Sequence, residues 1–386
     1  MTLPTATRVR TTEEPRAIPV CTPILDGREA EYVADCIETN WVSSLGEYIP
    51  RFEQGFARIC NAPHSVACSS GTAAIHLALE ALDIGPGDEV IIPSFTLIVS
   101  ANMVCLAGAT PVLVDVRPDT WCIDPVLIEA KVTPRTKAVM VVHMYGHPCD
   151  LDPILAIAKR RNLAVIEDAA QAHGAEYRGR PVGAIGDVGC FSFYANKIIT
   201  TGEGGMLVTR DKAIADRAVL LRNQAFEEER FVHRHVGFNY RMTNIQAAIG
   251  LAQCERFGEK IIRKREIAAI YDELLADEDS LQLPAKGADC EPVYWMYGVV
   301  LKDTFGRAKR EVRDLLAARG IETRSFFVPM HRQPVFQGGA RRWPDLRGRY
   351  PVSDVLGERG FYLPSGLNLA YDDQKWIVEQ LLSCKR

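Results

Sequence analysis

The chain lacks most of the features that assign a protein to a compartment or a cofactor at a glance. Its 11 cysteines contain no Cys-x-x-Cys pair, and the count is odd. Several, such as Cys68, Cys105 and Cys190, sit in apolar runs. That argues against a disulfide framework and for reduced, buried thiols. There is no N-x-[ST] sequon. The opening stretch holds no apolar core of signal-peptide length, and no run approaches the ~20 apolar residues of a membrane span. A soluble, cytoplasmic protein with no membrane partner is expected. No Gly-Lys pair occurs, so there is no Walker loop, and no G-x-G-x-x-G argues for a nicotinamide enzyme. An excess of positive charge is missing too, since 45 basic residues face 49 acidic ones for a net charge of −4. A general nucleic-acid binder needs a basic surface, so no nucleic-acid partner is expected.

What is present is an ordinary globular composition, 47% hydrophobic and 24% charged over 386 residues. That length supports a large core plus a second unit and excludes disorder as the main state. Residues 1–17 are polar and read as a loose tail. From 65 to 210, short apolar runs alternate with helical patterns. The runs begin at Val66, Val90, Val112, Val139, Ala164, Cys190 and Met206. They are bounded by Gly, Pro or Asp, as expected of strands buried on both faces of a mostly parallel sheet. Thr72 to Leu82 places Ile75, Ala78, Leu79 and Leu82 on one helical face, and Leu151 to Arg161 repeats the pattern. The expectation is an α/β large domain over 18–257 with about seven strands. A smaller C-terminal α/β domain is expected over 258–386, opening on a helix broken near Gly258. It would hold strands over Met296–Leu301 and Glu322–Phe327 and a loop from Leu283 to Pro292.

In such sheets ligands sit beyond the carboxyl ends of the strands. Three signals lie there. Ser69-Ser70-Gly71-Thr72 turns from a strand into a helix, which suits an anion on free N–H groups, although Ser70 or Thr72 could simply cap the helix. Glu167-Asp168 ends an apolar run, and a carboxylate there must be paired or face a cleft; a helix cap is the alternative. Lys197 follows another buried run and precedes a glycine-rich turn. A lysine shielded from water can lose its proton and attack carbonyls. A phosphate cradle, a strand-end acid and a nucleophilic lysine are together what pyridoxal phosphate requires. Other clusters carry less. His143, His147, Cys149, Asp150 and Asp152 match no closed zinc spacing, so no metal is expected. The charge run Phe226 to Arg230 reads as a solvated loop. Arg341, Arg342, Arg347 and Arg349 are either surface charge or nucleotide-phosphate contacts.

The segments SSGTAAIHLAL, GDEVIIPSFT, GATPVLVDV, VIEDAAQAHGA, SFYANKIITTGEGGM and GFNYRMTNIQAAIGLAQ occur in that order. Through them the chain resembles the DegT/DnrJ/EryC1/StrS family of pyridoxal-phosphate-dependent sugar aminotransferases. The resemblance implies the type I aminotransferase fold and pyridoxal 5'-phosphate as cofactor. It implies that Lys197 forms the imine to the cofactor and then shuttles protons, and that Asp168 pairs with the ring nitrogen. Gln171 would contact the ring hydroxyl and Phe95 would stack on the ring. Gly71, Thr72 and Ser192 would hold the phosphate. Asn239 would reach it from the neighbouring subunit, making a homodimer with shared active sites. Arg241 and His331 are weaker substrate candidates. Some relatives carry His in place of the lysine and act as dehydratases; this chain keeps Lys197.

The implied reaction moves an amino group from L-glutamate to a nucleotide-linked 4-keto-6-deoxy sugar. NKIITTGEGGM and NYRMTNIQAAIGLAQ are most like members that aminate GDP-4-keto-6-deoxymannose. A UDP- or dTDP-linked keto-sugar, a cyclitol ketone and a silent cofactor-binding regulator remain as alternatives.

Overall fold

A computed structural model describes residues 17–229, 231–287, 289–338 and 342–386. The expected tail therefore lies outside the described residues except for Ala17, and so do Arg230 and Arg341. The seven apolar runs become β1 (His64–Cys68), β2 (Glu89–Pro93), β3 (Thr110–Val114), β4 (Thr136–Val142), β5 (Ala164–Asp168), β8 (Val188–Ser192) and β9 (Gly205–Thr209). They form one sheet in the order β1-β9-β8-β5-β4-β2-β3. Only β9 runs against its neighbours, pairing antiparallel with both β1 and β8. Alternate residues feed opposite cores. Val139, Val141 and Val165 join one apolar cluster, whereas Ala138, Met140 and Ile166 join the other. Burial on both sides explains why these strands read as unbroken apolar runs.

The helix Gly71–Ala81 lies against the sheet with Ile75, Ala78 and Leu79 buried, as its spacing requires. The helix Leu151–Arg161 ends where Asn162 turns left-handed at φ 53. Between β5 and β8, β6 (Glu176–Tyr177) and β7 (Arg180–Pro181) form a hairpin that also pairs with β11 (Cys290–Glu291). A third sheet in the C-terminal part has the order β10-β12-β14-β13, with β10 (Leu281–Gln282), β12 (Tyr297–Leu301), β13 (Arg324–Ser325) and β14 (Gly360–Leu363).

Four details differ from the sequence reading. The long helix breaks at Arg256, between Asn244–Glu255 and Phe257–Leu274, because Arg256 leaves helical geometry at φ −109 and ψ 19; Gly258 is helical. The strand expected over Glu322–Phe327 shrinks to the two paired residues of β13. The expected loop at Leu283–Pro292 contains β11. Strand β14, with Phe361-Tyr362-Leu363, and the helix Pro351–Arg359, with Val352, Val355 and Leu356 at helical spacing, are elements beyond those expected. Ile18 also docks on the C-terminal part, donating to the Gly320 carbonyl at 2.8 Å and accepting from Glu322 N–H at 2.9 Å.

Candidate active site

The sheet order reverses direction between β2 and β4, and a crevice opens at such a point. Phe95 follows β2, Tyr145 follows β4, Asp168 ends β5 and Ser192 ends β8. Beyond β8 the chain makes a tight loop through Lys197. Lys197 N–H donates to the Tyr194 carbonyl at 2.9 Å, and Thr200 Oγ1 donates to the Phe193 carbonyl at 2.9 Å. The chain then returns as β9, starting at Gly205. A Cβ there would fall 2.2 Å from the Ser70 carbonyl oxygen, so only glycine lets β9 pass the start of the helix.

Lys197 places Nζ 3.7 Å from the centroid of the Trp295 ring. Loss of water draws its pKa down to about 7, while the charges of Asp168 and Cys21 pull the other way. A lysine in that state is neutral in a large fraction at neutral pH, as a nucleophile and proton carrier must be. Asp168 is 3% exposed. Its Oδ1 accepts from Ala170 N–H at 3.2 Å and its Oδ2 from Ser100 Oγ at 3.4 Å. Burial raises its pKa, and the Ala170 N–H and Lys197 offset part of that rise. Two long hydrogen bonds leave much of a carboxylate's acceptor capacity open to a cationic partner. The following residues form no helix, so Asp168 is not a helix cap.

Glu167 differs. Its carboxylate accepts from the N–H groups of Gly183, Ile185 and Gly186 at 2.7, 2.8 and 2.6 Å and meets His143 Nε2 at 3.0 Å. Burial would raise its pKa, but His143 and those N–H groups hold it below the usual carboxylate value. His143 is thus spent on structure. Among the described residues no group of three or more His, Cys, Asp or Glu side chains is placed to hold a metal ion.

The turn after β1 resolves the capping question. Ser70 Oγ accepts from Ala73 N–H at 3.1 Å, so Ser70 is the cap. Gly71 then brings the helix start against Ser192: a Cβ on Gly71 would lie 2.6 Å from the Ser192 Cβ. Exposed Thr72 and half-buried Ser192 therefore flank a helix N-terminus, where the dipole favours an anion. This glycine-made cradle, with the lysine of lowered pKa and the under-bonded acid, fits a phosphate-bearing aldehyde such as pyridoxal phosphate. Phe95 is fully buried, with its ring 5.8 Å from Phe326. Gln171 is 4% exposed and accepts from Tyr145 N–H at 2.8 Å.

Asn239 and Arg241 lie on either side of Tyr240, whose carbonyl accepts from Ser69 N–H at 2.8 Å. Arg241 donates to Asn223 Oδ1 and Asn239 Oδ1, both at 2.8 Å. His331 is 2% exposed, with Nδ1 2.7 Å from Ser94 Oγ, beside Phe95, and Nε2 2.9 Å from Asp354 Oδ1. Both ring nitrogens are engaged by the protein, so His331 ties the segment at 330–332 to the end of β2. Of the basic run, Arg347 is paired with Asp345 at 2.5 Å, and Arg342 lies 4.6 Å over the Trp343 ring. Sequence reasoning missed Ser100, Tyr145 and Trp295. The aromatic run Tyr294-Trp295-Met296-Tyr297 was the one visible signal for Trp295.

The chain is similar to known proteins over nearly its whole length. A model of the DegT/DnrJ/EryC1/StrS aminotransferase family matches residues 23–382. The GDP-perosamine synthase of Caulobacter vibrioides is 47% identical over 94% of this chain and 97% of its own. That of Escherichia coli O157:H7 is 44% identical over 94% of this chain and 97% of its own. The crystal structure of S. venezuelae DesV in complex with a ketimine intermediate superposes with a TM-score of 0.86 at 36% identity, covering 93% of this chain and 95% of that one. No helix among the described residues is long and apolar enough to cross a membrane.

Proposed function

The chain belongs to the DegT/DnrJ/EryC1/StrS aminotransferase family and is a pyridoxal-phosphate-dependent sugar aminotransferase, and from that premise we propose that it converts GDP-4-keto-6-deoxymannose to GDP-perosamine with L-glutamate as amino donor. The choice of sugar rests on one observation, the 47% and 44% identity over nearly full length to two enzymes named for that product. Bound pyridoxal phosphate supplies the electron sink that makes the α-proton of an amino acid, and the matching proton of the amino sugar, removable.

The chain's own residues do the rest. Gly71, Thr72 and Ser192 would seat the phosphate, and Phe95 and Gln171 would fix the ring. Asp168, poor in partners, would hold a proton at the ring nitrogen. Neutral Lys197 would bond the cofactor at rest, then take the proton from the donor's Cα and return one to the sugar carbon. Its loss of water keeps it able to accept that proton near pH 7. We include in the proposal a homodimer in which Asn239, steadied by Arg241, reaches the neighbouring subunit's phosphate. Division of labour between 18–257 and 258–386, and work in the cytoplasm on a surface polysaccharide precursor, belong to the same proposal.

A half-reaction tests it. The loaded protein is treated with L-glutamate, freed of it, and offered GDP-, UDP- and dTDP-linked 4-keto sugars in turn. Recovery of the visible absorbance of the lysine-bound cofactor with the GDP sugar alone is expected. Recovery only with another nucleotide would replace the substrate and keep the site. Recovery with none would move the assignment to a cyclitol ketone.

A further inference from the structure

Trp295 lies 99 positions beyond Asn196 in the sequence, yet its indole Nε1 donates to the Asn196 carbonyl at 2.8 Å. The residue is 4% exposed. Its ring receives the Nζ of the next residue, Lys197, at 3.7 Å from the centroid. The same ring is stacked on Tyr145 at 6.2 Å with the planes 17° apart. Trp295 is itself held. Its carbonyl accepts from Lys264 Nζ at 2.8 Å, and that ammonium also donates to the Ser365 carbonyl at 2.6 Å. Lys264 is 3% exposed, on the helix Phe257–Leu274. One side chain thus bolts the approach to β12 to the chain beyond β14, and the residue so fixed grips the reactive loop by its backbone and its lysine.

We propose that Trp295 is a positioning residue for transamination, setting the direction from which Lys197 presents its amine and keeping water off it, with Lys264 as its anchor. This rests on the reading of Lys197 as the reacting lysine. Lys197 must be free of the cofactor during part of each turnover, and a free lysine side chain has many rotamers to lose. A fixed aromatic seat removes much of that freedom before the reaction. The ring acts on protonation in two opposed ways. Its face attracts the ammonium, but its bulk excludes water, which favours the neutral amine. Exclusion of water dominates at Lys197, because burial is the largest influence on it. The other titratable groups facing this amine are Asp168 from β5, Cys21 from the N-terminal segment and His173 from beyond β5. Burial holds the His173 pKa down to about 3, so that ring is neutral and does not compete.

The test uses cofactor-free full-length protein mixed with pyridoxal phosphate across a pH series, with the adduct trapped by borohydride and located by peptide mass. Trp295→Ala is expected to move the midpoint of capture at Lys197 to higher pH by about one unit, which is about tenfold slower capture near pH 7. Trp295→Phe keeps the ring and is expected to keep the wild-type midpoint. Losing the N–H to Asn196, it should lower kcat about tenfold with KM for L-glutamate unchanged. Lys264→Met should shift the midpoint in the same direction as Trp295→Ala, by less. If Trp295→Ala does not fold, the Phe and Met variants decide. Wild-type midpoints in the Ala and Met variants, or a Phe variant in which kcat and KM both match the wild type, would overturn the proposal. Capture by the wild type on a lysine other than 197 would instead overturn the site assignment.

Discussion

Glu167 and Asp168 are adjacent, both buried, and end the same strand, yet they face different regions of the molecule. Behind the sheet end, Glu167 is saturated by three backbone N–H groups and His143, and it shapes the turn at 183–186. On the crevice side, Asp168 keeps two long hydrogen bonds. Buried Lys264 and half-buried Lys197 repeat the contrast. Lys264 gives its ammonium to two carbonyls at 2.8 and 2.6 Å, whereas Lys197 rests against an aromatic face. Burial alone therefore does not mark a catalytic group in this protein. A buried charge with its partners supplied is architecture, and a buried charge short of partners is held ready for a ligand.

Removing Lys197 is the largest break. Lys197→Ala should lower transamination at least about a thousandfold and abolish the borohydride-trapped adduct. An adduct reappearing on Lys264 would erase the distinction between the two lysines.

Exchanging the neighbouring acids for amides sharpens the contrast between them. Asp168→Asn should slow turnover about a hundredfold while melting near the wild type, since Ala170 and Ser100 can still bond an amide. Glu167→Gln should destabilise the protein by about 3 kcal/mol in urea unfolding, because a buried carboxylate with four partners loses its charge. Similar losses of stability in both variants would show that the two acids do the same work.

Much of this contrast was legible in the sequence and part of it was not. All seven strands of the main sheet were visible because each is buried on both faces and so reads as a short apolar run. Lys197, Asp168 and Gly71 were visible because chemistry at strand ends repeats in residue types and spacing. What a strand-end residue touches on the far side is a tertiary fact. The partners of Glu167 come from 183–186 and from His143 beyond β4, and the cover of Lys197 comes from Trp295, in the segment that leads into β12. The C-terminal sheet was harder to read because β13 has two residues and β14 has four. His331 entered only through the resemblance, and what holds its two ring nitrogens, Ser94 and Asp354, is again a tertiary fact.

The second lysine has its own pH signature. In the folded state burial draws Lys264 from 10.5 down to about 8. The native protein therefore binds fewer protons than the unfolded chain between those values, and stability must rise with pH across that window. Below about pH 8 the cost of burying the ammonium is fully present. Lys264→Met lacks this slope. The gap between wild type and variant should thus move in the wild type's favour from about pH 8 to about pH 10, by no more than about 3 kcal/mol. Parallel urea curves at the two pH values would mean that the two carbonyls fully replace the lost water.

The smallest effect tests whether a group at the surface can belong to the crevice of a second chain. Asn239 is exposed in this chain, where its Oδ1 receives Arg241, and the Tyr240 carbonyl beside it is bonded to the turn that precedes Gly71. If it contacts the phosphate of a neighbouring subunit, Asn239→Ala removes one hydrogen bond to an anion and should weaken cofactor retention about fivefold, with the catalytic rate of the loaded enzyme nearly unchanged. Arg241 would keep Asn223 as a partner, so the local fold should survive. The stronger form mixes Asn239→Ala protein with Lys197→Ala protein. A shared site predicts that the mixed dimer regains wild-type retention at only one of its two sites, the one holding Lys197 from one chain and Asn239 from the other. A self-contained site predicts no such recovery, because Lys197 and Asn239 would then have to come from one chain.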